Sequence, residues 1–117
     1  SMTFNVTDGK LNAILNQRSQ DTLMANNWNV VQYAVLVHML AQVSDLEAGE
    51  LVHVISDMHI YDRHVEMVKE LLKRPSLPAP KFTINKEIKN FYDFTVDDFN
   101  LEGYEYGPSL GKIPVAI

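Results

Sequence analysis

From Trp28 to Val43 the apolar residues leave no wide polar face, and Gln32, His38 and Gln42 are scattered interruptions. That pattern predicts a helix buried on most of its sides, which makes it the core of a chain of this size. Sixteen residues at 1.5 Å rise give about 24 Å, and the Gln and His interruptions argue against a membrane span of that length. Asn26 or Asn27 is expected to cap its start, since an Asn oxygen takes up orphan backbone donors. His38 and Gln42, one turn apart, are expected to bond each other or a neighbouring chain.

Around this helix the sequence alternates. Phe4 and Val6 are interleaved with Asn5 and Thr7, Asp8-Gly9 supplies a tight turn, and Leu11, Ala13 and Leu15 resume the alternation, which predicts a hairpin. Period two places Leu11, Ala13, Leu15 and Gln17 on one face and Asn12, Ile14, Asn16 and Arg18 on the other. Asp45 to Glu50 reads as an acidic connection, and Leu51 to Ile55 as a buried strand. Extended backbone continued to Tyr61 sets His53, Ile55, Asp57, His59 and Tyr61 on one side. An amphipathic helix follows from near Asp62, with Val65, Val68, Leu71 and Leu72 as its stripe, and Arg74-Pro75 ends it. Pro75, Pro78 and Pro80 stiffen a connector, Lys81 to Ile84 is a short strand, and Phe91 to Phe94 is an aromatic cluster. Thr95 to Asp98 has capping-box form, and Phe99 to Tyr104 is a last strand. The expected fold class is α+β, a mixed sheet packed by a long buried helix and a second, amphipathic one, in a single domain over residues 1–117.

Composition narrows the partners. Ten Lys+Arg against fifteen Asp+Glu give a net charge of -5, so a nucleic acid meets a repulsive field, while one small phosphorylated ligand needs only a local positive seat. No apolar run reaches membrane-spanning length and no signal core is present, which reads as a soluble, cytoplasmic chain. The absence of cysteine excludes disulfides, thiolate metal sites and a thiol nucleophile within these residues. The histidines lack metal-site spacing, so no metal is expected, and no Gly-x-Ser-x-Gly elbow supports serine catalysis. Ser1-Met2 reads as the remnant of a cleaved tag.

The chemistry-bearing stretch is Asn16-Gln17-Arg18-Ser19-Gln20-Asp21. A guanidinium binds two phosphate oxygens at once and the Ser19 hydroxyl stands beside it, so the pair suits a phosphate monoester. Together with Trp28-Asn29, with Asp57-Met58-His59-Ile60-Tyr61 and with Pro114-Val115-Ala116-Ile117 at the end, it resembles thymidylate synthase from about Thr3 to Ile117. The resemblance is to the carboxy-terminal part of that family, without the segment that bears its nucleophilic cysteine.

That resemblance implies a methylation of dUMP to dTMP with 5,10-methylenetetrahydrofolate, in a homodimer formed through the sheet with arginines donated across the interface. It implies Arg18 and Ser19 on the 5′-phosphate, backbone near Gln20 and Asp21 toward the pyrimidine, and Asn29 reading uracil N3-H and O4. His59 and Tyr61 would take the 3′-hydroxyl, with Ile60 in the wall between them. Asp21, Trp28 and Ala116 would face the folate, and the tail would fold over the filled site. The chain departs from the family where Gly and Pro are usual, in Met24-Ala25-Asn26-Asn27, and at Ser56 before Asp57. A Cβ at Ala25 narrows the folate cleft. Without a thiolate the chain alone is expected to be inactive. The alternatives are a non-catalytic nucleotide-binding or interaction module, a ligand-free structural domain, and a relative of the deoxycytidylate hydroxymethylases, which carry a carboxylate where Asn29 stands.

Overall fold

Asp8 and Gly9 both adopt positive φ, 50° and 75°. Two successive left-handed residues make the turn whose twist matches that of the flanking strands. It joins β1 (Met2–Thr7) to β2 (Lys10–Asp21) as an antiparallel hairpin in which Met2 faces Leu15 and Thr7 faces Lys10. In this computed structural model, which describes residues 1–115, α1 (Asn26–Val43) leads to β3 (Glu47–His59), parallel to β2. The three strands form one mixed sheet in the order β1-β2-β3. The fold is α+β, as the periodicities predict. Ala116, an expected folate contact, and Ile117 lie outside the described residues.

Leu11, Ala13 and Leu15 are buried on one face of β2, where α1 packs with Val37 and Ala41 innermost. Filling that layer stabilises the fold by about 2 kcal/mol for each fully covered Leu or Val. The opposite face is open: Ile14, Val52, Val54 and Met58 are all exposed. β3 is thus longer than expected, begins at Glu47 within the presumed connection, and is buried on one side only. A register shift between Leu11 and Ala13 marks where the strands adjust. There the Asn12 Oδ1 accepts from the Glu50 N–H at 2.9 Å, and Gly49 passes so close that a Cβ would meet the Leu11 carbonyl at 2.9 Å.

Three expectations for α1 are corrected. The helix starts at Asn26 and its N-cap is Ala25, so neither Asn26 nor Asn27 caps it. It is not buried on most sides, because the sheet covers one side and the turn at Phe91–Asp93 touches another, leaving Trp28 and Val31 exposed. His38 and Gln42 do not bond each other. Gln42 Nε2 donates to the carbonyls of Asn85 and Ile88, at 2.8 and 2.9 Å, and His38 stands edge-on to Phe82 with ring centres 5.1 Å apart.

After β3, a 3-10 turn (Asp62–His64) opens α2 (Val65–Lys73), which Arg74 ends in extended conformation. Leu71 and Leu72, both expected in its stripe, are exposed. β4 (Lys81–Ile84) pairs with β5 (Phe99–Glu102), two residues shorter than expected, as a separate antiparallel ribbon. The capping box is present: Asp98 Oδ2 accepts from the Thr95 N–H and hydroxyl, at 2.8 and 3.0 Å. Phe94 stacks on Phe99 and Phe99 on Phe82, which seats the ribbon's ring row against α1, while Tyr92 of the expected cluster is exposed. Among the described residues no helix is long and apolar enough to cross a membrane, and no group of three acidic or histidine side chains is placed to hold a metal.

Candidate functional site

Because β2 and β3 are parallel, their carboxyl ends emerge at the same edge of the sheet. Ser19 stands opposite Asp57, Gln20 opposite Met58 and Asp21 opposite His59. The edge is pinned by Thr22, whose N–H and hydroxyl both donate to the His59 carbonyl, at 3.0 and 2.8 Å. Asp21 then turns the chain into α1. Its Oδ1 accepts from the N–H groups of Leu23 and Met24, each at 3.2 Å, and its carbonyl from that of Ala25 at 3.0 Å. A short acidic side chain bonding to the backbone two and three residues on ties down the turn that leads into α1, whose own first turn has no side-chain cap.

One turn into the helix, the Asn29 Oδ1 accepts from Gln17 Nε2 at 3.0 Å and from Gln20 Nε2 at 3.3 Å. Gln17 is itself held. Its amide nitrogen also donates to the Ser19 carbonyl at 2.9 Å, and its oxygen lies 2.8 Å from His53 Nε2, which therefore carries the proton, since an amide oxygen only accepts. With both lone pairs of its oxygen engaged, Asn29 presents its NH₂ group as the open end of the chain His53-Gln17-Asn29. Gln20 is 1% exposed, and its Oε1 has no partner among the described residues. Asn29, Ser19, Gln20 and Asp21 are thus brought together, with His59 as the cross-strand neighbour of Asp21.

His59 is half-buried, its Nδ1 3.3 Å from the Asp57 carbonyl and 3.6 Å from the Asp57 carboxylate. The Tyr61 ring meets it edge-on with ring centres 5.1 Å apart, so the two side chains are neighbours. Ile60 and Tyr61 are both exposed, which makes this part of the site an open shelf. Well-formed grooves lie elsewhere, one of about 400 Å³ between His38, Gln42 and Phe82 and one of about 460 Å³ between α1 and the aromatic ribbon.

Arg18 is less closely gathered. It occupies the alternate register position, with Ile14 and Asn16, opposite the face that Gln17 and α1 share, and no side chain among the described residues grips it. Trp28 is 80% exposed in the first turn of α1 and borders, with Asn27, Val31 and Gln32, an open hollow of about 410 Å³. A flat, uncovered indole beside a hollow suits stacking of a fused heterocycle. Asp21 fits the same role, because Oδ2 makes no hydrogen bond among the described residues while Oδ1 anchors the turn.

Sequence reasoning left Gln17 and His53 without a part in the site. Their signal was the shared inward face set by period two, but a contact from strand to helix across twelve residues has no local signature. The side chain of Gln20 was also unforeseen, since strict alternation turns it outward, yet it is buried and bonds Asn29 while still paired opposite Met58.

The family model described as thymidylate synthase matches residues 1–117. The thymidylate synthase of Clostridium beijerinckii is 49% identical over 116 residues, which are 97% of this chain and 44% of that protein. That of Bacillus licheniformis is 48% identical over 105 residues, 90% of this chain and 38% of that protein. The solved thermostable thymidylate synthase A from Bacillus subtilis superposes with a TM-score of 0.95 at 42% identity, over 99% of this chain and 41% of that one. The chain spans less than half the length of these relatives, and on the strength of the match along all of its residues it belongs to the thymidylate synthase family.

Proposed function

We propose that this chain forms part of an enzyme that methylates dUMP to dTMP with 5,10-methylenetetrahydrofolate, and that its share of the work is to seat the nucleotide. The observation that supports this reading is Asn29, whose oxygen is engaged by Gln17 and Gln20 so that its NH₂ group is the end left free to donate. A donor held at that point pairs with the O4 acceptor of uracil and opposes the amino group that cytosine carries at C4. Two donors left facing each other in a closed site cost about 1 to 3 kcal/mol, which selects between the bases. Accepting from uracil N3-H needs one glutamine to release the Asn29 oxygen. Gln20, at 3.3 Å, is the weaker holder.

His59 and Tyr61 offer a ring nitrogen and a phenol to one deoxyribose hydroxyl, enough to meet both its proton and its lone pairs. A nucleotide laid across the carboxyl ends of β2 and β3 sets its base toward Asn29 and its phosphate toward Ser19 and the ungripped Arg18. One guanidinium does not neutralise a phosphate dianion, so further cations come from outside these residues, in line with a homodimer built on the open sheet face. Trp28 would stack on the folate and Asp21 would accept from it. The folate supplies the one-carbon unit and the hydride. Attack on pyrimidine C6 needs a thiolate, and these 117 residues contain no cysteine, so the chain by itself binds without turning over. Asn29 in place of a carboxylate disfavours the hydroxymethylase alternative.

Calorimetric titration of the intact protein with dUMP tests the reading. Saturable binding with one site per protomer is expected, and an absence of binding overturns it.

A further inference from the structure

The last turns of α1, the entry to β3 and the strand β4 border an open hollow of about 400 Å³. That is in the lower part of the range of small-molecule sites, about 300 to 1,000 Å³. Ala41, Leu46, Ala48, Phe82 and Ile84 give it apolar walls, and no Asp or Glu lines it. Two cations do, Lys86 and Lys89, both from the segment that follows β4. This segment is held in place, because Gln42 Nε2 donates to the carbonyls of Asn85 and Ile88 and the Asn85 N–H donates to the Asp98 carbonyl at 2.8 Å. Lys89 stands 3.9 Å from the Asp45 carboxylate, whereas Lys86 has no acidic partner among the described residues. His38 also borders the hollow, and since partial burial lowers its pKa from 6.5 it is neutral at pH 7 and adds a ring N–H rather than a charge.

The hollow thus sets close to one uncompensated positive charge beside an aromatic and aliphatic surface. We propose that it is a second ligand site, taking a small monoanionic carboxylate with an aromatic or branched apolar body. The carboxylate lies at the Lys86 edge and the body against Phe82 and Leu46. Charge decides against a phosphate ester: one free ammonium, a point charge without the fork of a guanidinium, leaves a dianion poorly neutralised. An aromatic body gains edge or offset contact with the Phe82 ring. Gln42 is thirteen residues beyond Asn29 on α1, about 20 Å along the helix, so this site is separate from the nucleotide edge and does not depend on the function proposed there.

The test is a saturation-transfer NMR titration of the intact protein with 3-phenylpropionate and with its neutral amide, 3-phenylpropanamide. The acid is expected to bind about fivefold more tightly than the amide, the worth of one exposed charge contact. Lys86→Gln, at an exposed position that does not endanger folding, should remove that advantage and leave the amide unchanged. Lys69→Gln, on α2 and away from the lining, should alter neither. Ala48→Leu fills the hollow and should weaken both. Absence of binding, equal affinities for acid and amide, an unchanged acid affinity in Lys86→Gln, or an equal loss in Lys69→Gln overturns the proposal. So does a folded Ala48→Leu protein that binds both probes as before.

Discussion

Gln17 Nε2 donates to Asn29 Oδ1 at 3.0 Å, and this bond fixes which end of the Asn29 amide is left free. Because His53 holds Gln17 from behind at 2.8 Å, the orientation is set two side chains away from any ligand atom. Gln17→Leu is therefore expected to free the Asn29 amide to turn over. Calorimetric affinity for dUMP should fall about tenfold, and the preference over dCMP should narrow, with little loss of thermal stability. Unchanged base selectivity would show that Gln17 does not orient Asn29.

Gly49 has no room for a methyl group. A Cβ there would meet the Leu11 carbonyl and the Asn12 side chain that holds the Glu50 N–H across the register shift. Gly49→Ala should destabilise the chain by about 1 to 3 kcal/mol, read by urea unfolding, because backbone on both sides has to move. Gly9→Ala is a useful contrast. Nothing crowds that position, so its cost of about 1 to 2 kcal/mol is that of a left-handed backbone alone.

His38 bears on pH dependence. Partial burial beside Phe82 lowers its pKa below the ordinary value of 6.5, because burial penalises the charged form. The folded state then binds a proton less readily than the unfolded chain. Stability from this source is intact above pH 6.5 and declines as pH falls through the depressed value. Thermal melts from pH 7.5 to 5 should show a decline that His38→Phe reduces, by a modest amount since the outer edge of the ring reaches solvent. Equal slopes for both forms would remove His38 as a contributor.

Ile14, Val52 and Val54 are exposed together on one sheet face, with Ile14 directly opposite Val52. Water-exposed β-branched residues in a continuous patch favour pairing of two such faces. Light scattering over a concentration series should show self-association that Val54→Lys abolishes. A protein that is monomeric throughout would contradict the proposed dimer.

The hairpin, both faces of β2, the long helix and the capping box at Thr95 were legible because each is a local pattern: a turn dipeptide, a period of two, an apolar run, a four-residue motif. What was not legible depends on contacts distant in sequence. Gln42 serves the turn at Asn85 and Ile88, and Asp21 holds the turn before α1, which no side chain caps. The helix reads as buried on most sides from its composition, yet Trp28 and Val31 are exposed. At the site, the sequence supplied Asn29, His59 and Tyr61 as residue types in a recognisable order. It held no sign that Gln17 and Gln20 converge on one oxygen, nor that His64 reaches Pro114.

The central claim is that Asn29 reads the pyrimidine through a fixed amide donor. Titrating the intact protein and its Asn29→Asp variant with dUMP and dCMP tests it most directly. The account predicts that the unaltered protein prefers dUMP by at least about tenfold and that the variant loses or reverses this preference while retaining its fold. An Asn29→Asp variant that keeps the original preference for dUMP would contradict it.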